Sequence, residues 1–302
     1  MIGHRLMGMA LLFTGEIAEG RPHLDRAIAV YDPAEHRPLA ARFGQDAGVA
    51  TLSYRSWALW PLGYPEAALA DRDHALKDAR EIGQAATLMA ALSVTSLTLI
   101  HCGNYATANA QVDELIALAD EKGAALWKAI GMMRQGSVFA LTGNASNAVR
   151  MITSGITAYR STGSTVLMPW YLSRLAWAHA ELDQLDEAWR CIGEAMTTLE
   201  TTKERWSEAE VYRTAGDIPL MSTEPDMVKA EAYFRRALAV ARAQQAKSWE
   251  LRAAMSMARL WRDQGKRDEA SDLLARVYGW FTEGFDTLDL KEAKALLVAL
   301  GS

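Results

Sequence analysis

One short turn pattern recurs along the chain, and it constrains the fold more than any other feature. The pattern is a small or turn-forming residue followed by another small residue five positions later, as in Gly103–Ala108. Copies lie at residues 143–148, 183–188 and 265–270. Each copy separates two segments whose apolar residues recur at helical spacing, so the pattern predicts a turn between two helices.

The second small residue of each turn measures the length of the repeat. It is found at Gly20, Ala68, Ala108, Ala148, Ala188, Ala230 and Ala270, at successive intervals of 48, 40, 40, 40, 42 and 40 residues. A regular period of this size is typical of stacked helical pairs. We therefore predict an all-α fold: a right-handed α-α superhelix, like that of tetratricopeptide repeats, with about seven helix–turn–helix repeats and a C-terminal capping helix.

The same register predicts one solenoid domain over residues 1–302. The expected repeats cover residues 1–33, 47–82, 86–123, 126–163, 168–203, 206–245 and 248–279, with the cap at 285–300. The 48-residue interval indicates an insertion, Tyr31–Asp46, in which Pro33 and Pro38 interrupt helix and an ordered loop is expected. The first residues already fit a repeat, so we expect either a cut from a longer protein or a start at a domain edge.

Glycines inside the predicted helices indicate close helix packing. Gly8 and Gly136 each lie seven residues before a turn residue, within the first helix of their repeat. Glycine in a helix interior is less favourable than alanine by about 1 kcal/mol. Its use at these positions therefore predicts a tight helix crossing.

The first repeat carries the residues on which a known family is recognised. They are Gly8, Gly15, Gly20, Leu24, Ala27 and the helix stop Asp32-Pro33. On these residues the chain resembles the tetratricopeptide repeat. It departs from that repeat in its period of 40 instead of about 34 residues and in the absence of the early tryptophan, so longer helices or loops are expected.

Three further stretches, residues 204–213, 244–254 and 278–294, and the insertion at Tyr31–Gly48 carry a second resemblance. They are similar to the C-terminal repeat region of large bacterial proteins in which a class III adenylate or guanylate cyclase domain precedes a predicted AAA-type ATPase. This resemblance covers almost the whole chain. It implies a regulatory or partner-binding module, without the cyclase or ATPase chemistry.

Composition excludes several kinds of partner. The net charge of −5 comes from 32 basic and 37 acidic residues, with no basic tract interleaved with aromatic residues, so nucleic acid is not expected as a ligand. The most apolar stretch, Met89–Cys102, is too short to span a bilayer, and the N-terminus lacks a secretory pattern. We expect a cytoplasmic protein without membrane contact, in which Cys102 and Cys191 are buried free thiols.

No catalytic or cofactor motif is found. The dipeptide Gly265-Lys266 lacks the upstream glycine and the Ser or Thr of a phosphate-binding loop. The histidines are dispersed without zinc-ligand spacing, and no nucleophile elbow occurs. We therefore expect a protein that is not an enzyme and that holds no cofactor or metal.

The first helix of each repeat is expected to line a concave groove. Counting from the register of the first repeat, the side chains predicted to bind a partner there are Arg5, Trp57, Trp60, Met133, Trp177, Arg213, Arg252, Arg259 and Arg262. This groove would be aromatic in its middle and cationic toward its C-terminal end, which suits a segment with apolar anchors and a carboxylate. Two alternatives stay open: the tryptophans pack between repeats, and the last arginines are solvated and paired with Asp263 and Glu250.

The leading functional hypothesis is a protein-interaction or regulatory module of a bacterial signalling protein. It would bind a peptide or a partner domain, and domains of the same polypeptide are among the candidate partners. An alternative is a small-molecule sensor that controls an upstream ATPase or nucleotide cyclase. A self-associating structural module is a third hypothesis.

Overall fold

The computed structural model describes residues 1–301, and every regular element among them is helical. Its contacts group the chain into two compact units. The first unit comprises Met1–Trp60 and Pro65–Val166, and the second comprises Pro61–Tyr64 and the chain from Leu167 onward. The single domain expected from the repeat register stays a prediction.

The first unit contains four helical pairs and an insertion between the first and second pairs. Its helices are α1 (Ile2–Thr14), α2 (Ile17–Ala29), α3 (Pro33–His36), α4 (Ala40–Phe43), α5 (Ala47–Leu59), α6 (Pro65–Ile82), α7 (Ala85–His101), α8 (Tyr105–Glu121), α9 (Ala125–Leu141) and α10 (Ala145–Ser161). A short 3₁₀ helix, Arg37–Leu39, joins α3 to α4. The pairs are α1/α2, α5/α6, α7/α8 and α9/α10.

The second unit contains three helical pairs and a terminal helix. Its helices are α11 (Met168–Glu181), α12 (Leu185–Thr202), α13 (Glu208–Asp217), α14 (Met227–Ala243), α15 (Lys247–Asp263), α16 (Arg267–Tyr278) and α17 (Leu288–Gly301). A 3₁₀ helix, Ile218–Met221, occupies the lengthened turn after α13. The seven pairs and the terminal helix confirm the predicted all-α, tetratricopeptide-like fold class.

The recurrent turn ends one helix and starts the next. Gly103 and Gly265 both adopt φ of 79°, in the left-handed region that glycine enters without strain. Asp183 takes the same role with φ of 57°. The N–H of Asn104 then donates to the carbonyl of Leu99 at 2.9 Å, which satisfies a carbonyl at the end of α7. The chain reverses within these few residues, so the two helices of a pair pack side by side.

The predicted tight crossings at Gly8 and Gly136 are confirmed. A Cβ at Gly8 would lie 2.7 Å from Cγ of Leu24, and one at Gly136 would lie 2.6 Å from Cγ1 of Ile152 and 2.9 Å from its backbone nitrogen. These are shorter than van der Waals contacts. In these two pairs, α1/α2 and α9/α10, the helices therefore approach to a distance that only glycine permits.

The insertion is ordered, as predicted, but it forms short helices and not a loop, because Pro33 begins α3 and Pro38 fits into the 3₁₀ helix. A buried carboxylate anchors it. The hydroxyl of Tyr31 donates to Asp46 at 2.9 Å, and Asp46 in turn accepts from the N–H of Val49 at 2.9 Å, capping α5. Asp32 caps α3 by accepting from the N–H of Ala34. Burial, together with the hydrogen bond to Asp46, raises the pKa of Tyr31 to about 12. The insertion is therefore fastened to the start of α5.

The terminal helix covers the apolar face of the last pair. Its buried residues are Leu290, Ala293, Leu296 and Leu300, and they share a core with Phe281 and with α15 and α16. This confirms the predicted cap. Trp280 and Phe285, in the preceding segment, are partly exposed.

Within residues 1–301, no helix combines the length and apolar character that crossing a bilayer requires. The same residues hold no cluster of three or more His, Cys, Asp or Glu side chains arranged for a metal ion. Both cysteines are buried free thiols, as predicted.

Candidate functional site

Three predicted binding residues of the first unit lie in its interior. Trp57, Trp60 and Met133 are at most 2% exposed. The ring of Trp57 packs edge-on against Phe13 with 5.3 Å between ring centroids, and Trp60 stacks on His101 at 4.4 Å. These contacts match the alternative in which the tryptophans pack between repeats, because they join α5 and its C-terminal cap to α1 and to α7. A role in binding stays a prediction for all three.

The fourth predicted residue of this unit, Arg5, is a buried cation. It projects from α1 and is 6% exposed. Burial lowers the pKa of its guanidinium, and the charges of Tyr54 and Asp46 oppose that shift. Arg5 therefore differs from the predicted binding arginines of the second unit, Arg213, Arg252, Arg259 and Arg262, each of which is paired with a carboxylate.

Trp177 is the only predicted tryptophan in the second unit, and it is half-buried on α11. It follows Arg174 by one helical turn. Three other tryptophans of this unit are fully buried: Trp206 lies between Trp170 and Trp249, with 6.3 Å between successive ring centroids. Trp177 is therefore accessible, whereas these three tryptophans are part of the core.

Charged side chains run across the first helix of each pair in the second unit and onto the terminal helix. We call this set the charged face. It consists of Arg174 on α11, Glu210, Arg213 and Asp217 on α13, Arg252 and Arg259 on α15, and Asp289 and Glu292 on α17.

The buried end of the charged face centres on Glu210. Its carboxylate accepts hydrogen bonds from Arg174 and, at 2.7 Å, from Nε of Arg213. Nη1 of Arg213 also donates to Asp217 at 2.5 Å and to Ser256 on α15 at 3.3 Å. One carboxylate is therefore shared by two guanidinium groups, and the contacts link three helices.

The other end of the charged face is progressively more exposed. Nε of Arg252 donates to Asp289 at 2.8 Å, and these side chains are 13% and 15% exposed. Nη2 of Arg259 donates to Glu292 at 3.0 Å, and that pair is 44% and 45% exposed. Both pairs join α15 to the terminal helix.

Burial and pairing shift the pKa values of this network in opposite directions. Burial disfavours ionisation of Glu210, but Arg213 and Arg174 outweigh it and hold the pKa of that carboxyl far below its usual range. Burial raises the pKa of Asp217 and of Asp289, against the attraction of Arg213 and Arg252 respectively. Glu210 is therefore a fixed anion, whereas the two aspartates are less readily ionised.

The expected cationic end of the surface is balanced by acids. The charged face holds four arginines and four carboxylates. Arg262 pairs with Asp263, as the alternative predicted, but Glu250 binds Arg242 and Lys247, each at 2.8 Å. Arg252 and Arg259 of α15 instead pair with the terminal helix. A partner would therefore meet ion pairs, not a free cationic patch.

Five members of the charged face are not among the predicted binding residues: Arg174, Glu210, Asp217, Asp289 and Glu292. A signal was available in the spacing, because the pairs Arg174–Glu210, Arg252–Asp289 and Arg259–Glu292 are separated by 36, 37 and 33 residues. Each separation is somewhat shorter than one repeat. A search for oppositely charged residues about one repeat apart, on the first helices of successive pairs and on the terminal helix, would have indicated the residues of these three pairs.

The comparisons with known proteins agree with this fold. The profile of the tetratricopeptide repeat family matches residues 1–26 and 169–191. The first range contains α1 and most of α2, and the second covers most of α11 and the start of α12. The chain therefore contains a tetratricopeptide-like repeat region. No curated protein sequence matches the chain.

Several solved structures share the fold over nearly the whole chain. A Rap protein complexed with Competence and Sporulation Factor has a TM-score of 0.67 at 11% identity, covering 99% of this chain and 79% of that one. The apo form of RapI has a TM-score of 0.58 at 12% identity, covering 99% and 98%. A tetratricopeptide repeat protein from Parabacteroides merdae has a TM-score of 0.53 at 13% identity, covering 98% and 96%. At these identities the similarity establishes the fold alone.

Proposed function

We propose that the protein is a non-enzymatic interaction module that binds a peptide segment of a partner protein on the charged face, beside Trp177. The observation that carries the proposal is the gradient of exposure along that face. The side chain of Arg174 is 3% exposed, that of Arg213 is 16% exposed and that of Arg259 is 44% exposed. The buried end fixes the surface in place, while the open end can exchange its ion-pair partners.

The energetics of ion pairs favour this use of the open end. An exposed pair such as Arg259–Glu292 contributes about 0–1 kcal/mol to stability, so a partner's charges can replace it at little cost. Arg213 is held by Glu210 and Asp217 and is therefore already ordered before binding. A half-buried tryptophan one turn from Arg174 offers an apolar anchor of the kind that dominates interfaces.

The ligand class is supported by a protein of the same fold. The Rap protein in the comparison was solved in complex with Competence and Sporulation Factor. By analogy, a regulatory role in signalling fits this chain. The resemblance to the repeat region of cyclase–ATPase proteins makes a domain of the same polypeptide one candidate partner.

Selection from a random peptide library tests this proposal. Peptides retained by the wild-type protein are measured by fluorescence polarisation against the double variant Trp177→Ala/Arg259→Ala. Trp57 is left unchanged because its removal from the core would destabilise the protein. The matched control is Trp189→Ala/Arg190→Ala, which removes a half-buried tryptophan and an exposed arginine from α12.

We expect the first double variant to weaken binding by about tenfold or more, as loss of an interface anchor does, and the control to bind within about twofold of wild type. The proposal is contradicted if the selected peptides bind both variants equally, or if the α12 variant alone loses them. Circular dichroism of both variants confirms that the helices are retained.

A further inference from the structure

Two histidines from neighbouring helices meet in the first helical pair. His4 on α1 and His23 on α2 lie 19 residues apart in the chain, and their Nδ1 atoms are 2.9 Å apart. The centroids of the two rings are 5.1 Å apart. His4 is exposed and His23 is half-buried, so solvent reaches the pair. The histidines that are dispersed in the sequence therefore include one pair that the reversal of the chain brings together.

A close helix crossing fixes the spacing of the two rings. Gly8 lies one turn after His4, and Gly20 lies three residues before His23. A Cβ at Gly20 would lie 2.9 Å from the carbonyl oxygen of Gly8, and a Cβ at Gly8 would lie 2.7 Å from Cγ of Leu24. Residues three or four apart on a helix share a face, so the crossing also brings the two imidazoles together. The backbone therefore positions both nitrogens before any ligand binds.

A hydrogen bond between two Nδ1 atoms constrains both rings. One Nδ1 must carry the proton and the other must present a lone pair, so the two neutral imidazoles have to adopt opposite tautomers. A metal ion removes this requirement, because both rings then carry their proton on Nε2 and direct their Nδ1 lone pairs to the ion. The contact between His4 and His23 is therefore a place where a metal ion can replace a proton.

The separation of the two nitrogens matches that of adjacent ligands on one metal ion. At a metal–nitrogen distance of about 2.0–2.1 Å, two ligands at a right angle are about 2.9 Å apart and two tetrahedral ligands are about 3.4 Å apart. The observed distance of 2.9 Å corresponds to the right angle, which is typical of Cu²⁺ and Ni²⁺ sites. Imidazole nitrogen suits these ions, whereas Mg²⁺ and Ca²⁺ prefer oxygen ligands.

We propose that His4 and His23 bind a divalent transition-metal ion through their two Nδ1 atoms. Water fills the remaining coordination positions, since no third His, Cys, Asp or Glu side chain in residues 1–301 is arranged to join the pair. The bound ion links α1 to α2 and so stabilises the first helical pair. The site uses no residue of the charged face, so it stands even if that face binds no peptide.

Calorimetric titration of the untagged full chain with NiCl₂ tests the site, and MgCl₂ is the probe for non-specific attraction of cations. The variants His4→Gln and His23→Gln each remove one ligand and keep a polar side chain. The matched control is His74→Gln on α6. The side chain of His74 is 60% exposed and lies 3.4 Å from Asp78, so it represents an ordinary surface histidine beside a carboxylate.

We expect the wild type to bind one Ni²⁺ per chain and to give no heat with MgCl₂. In His4→Gln and in His23→Gln the Kd should rise by about tenfold or more, because losing a ligand costs no less than losing a residue that merely orients one. The control His74→Gln should bind Ni²⁺ within about twofold of wild type. Saturating Ni²⁺ should raise the melting temperature of the wild type and of His74→Gln, and not that of His4→Gln.

Electron paramagnetic resonance of the Cu²⁺-loaded protein identifies the ligands directly. We expect coupling to two imidazole nitrogens in the wild type and to one in either ligand variant. The proposal is overturned if the wild type binds no Ni²⁺, since the contact is then a hydrogen bond only. It is also overturned if a single nitrogen couples to Cu²⁺ in the wild type, or if His74→Gln loses as much affinity as His4→Gln. Circular dichroism confirms that each variant retains its helices.

Discussion

Arg213 binds Glu210 through both carboxylate oxygens, with Nε to Oε2 at 2.7 Å and Nη2 to Oε1 at 2.9 Å. The two residues lie one turn apart on α13, and Arg174 from α11 binds the same carboxylate. Because Glu210 is buried, changing it to Gln leaves two guanidinium groups without their counter-charge. We expect Glu210→Gln to lower the free energy of unfolding by roughly 3–5 kcal/mol, measured by urea titration.

The control for this prediction is a pair of the same chemistry on the surface. Nε of Arg190 donates to Glu187 at 2.8 Å, three residues apart on α12, and both side chains are more than half exposed. We expect Glu187→Gln to leave the urea midpoint unchanged, since water and salt screen this pair. Equal losses in the two variants would show that burial of the Glu210 network is unimportant.

The pH dependence of the same variant gives a second prediction. The folded-state pKa of Glu210 is depressed, so its contribution to stability is present above the unfolded pKa of about 4.3 and is lost as pH falls below it. In that pH range Glu210 binds a proton in the unfolded chain, whereas the native carboxylate stays ionised. The stability difference between wild type and Glu210→Gln should therefore shrink by about 1.4 kcal/mol per pH unit.

Asp217 and Asp289 act with the opposite sign, because burial raises their folded pKa values and their contribution falls as pH rises. The charge of Glu210 contributes to both shifts, so Glu210→Gln also lowers the pKa values of the two aspartates, and this change offsets part of the expected slope. Urea titrations between about pH 3 and pH 6 provide the measurement. A difference that stays constant over this range would mean that Glu210 is not held ionised.

Two helical glycines should respond to alanine in opposite directions. At Gly136 a Cβ would lie 2.9 Å from the backbone nitrogen of Ile152, so Gly136→Ala forces α9 and α10 apart. We expect a loss of about 1–3 kcal/mol in the free energy of unfolding. Gly193, inside α12, has open space where its Cβ would be, so Gly193→Ala should stabilise by up to about 1 kcal/mol. A stabilising Gly136→Ala would refute the tight crossing.

The insertion should loosen when its anchor is removed. Tyr31→Phe deletes the hydroxyl that donates to buried Asp46, a loss of about 1–3 kcal/mol for a hydrogen bond to a charged group. We expect faster cleavage between residues 32 and 45 in limited proteolysis, with α5 still protected. Tyr278→Phe is the control, because the hydroxyl of Tyr278 makes no hydrogen bond in residues 1–301. An unchanged cleavage rate in Tyr31→Phe would show that the Tyr31 hydroxyl does not anchor the insertion.

Most of the fold follows from residue spacing. The small residues from Gly20 to Ala270 mark turns, and turns 40 residues apart leave room for two helices and little else. The 48-residue interval predicted the insertion before α5. Gly8 and Gly136 predicted tight crossings, because an unfavourable residue inside a helix needs a reason in packing.

Side-chain partners could not be predicted in the same way. Periodicity placed Arg252 and Arg259 on one face of a helix, but their acids lie on α17, beyond an intervening helix. Such pairing depends on how far each helix is rotated about its axis, which a repeat length does not fix. The same rotation decides that Trp57 is buried while Trp177 remains accessible.

The most direct test of the central claim is photo-cross-linking from the charged face. The photoreactive residue p-benzoylphenylalanine is placed at position 177, on α11, or at position 189, on α12, and the protein is irradiated with a peptide selected on the wild type. Both positions hold half-buried tryptophans, but Trp189 stacks on Tyr233 away from the charged face. We expect the peptide to cross-link at position 177 and not at position 189. Cross-linking at position 189 alone, or equally at both positions, would contradict the account.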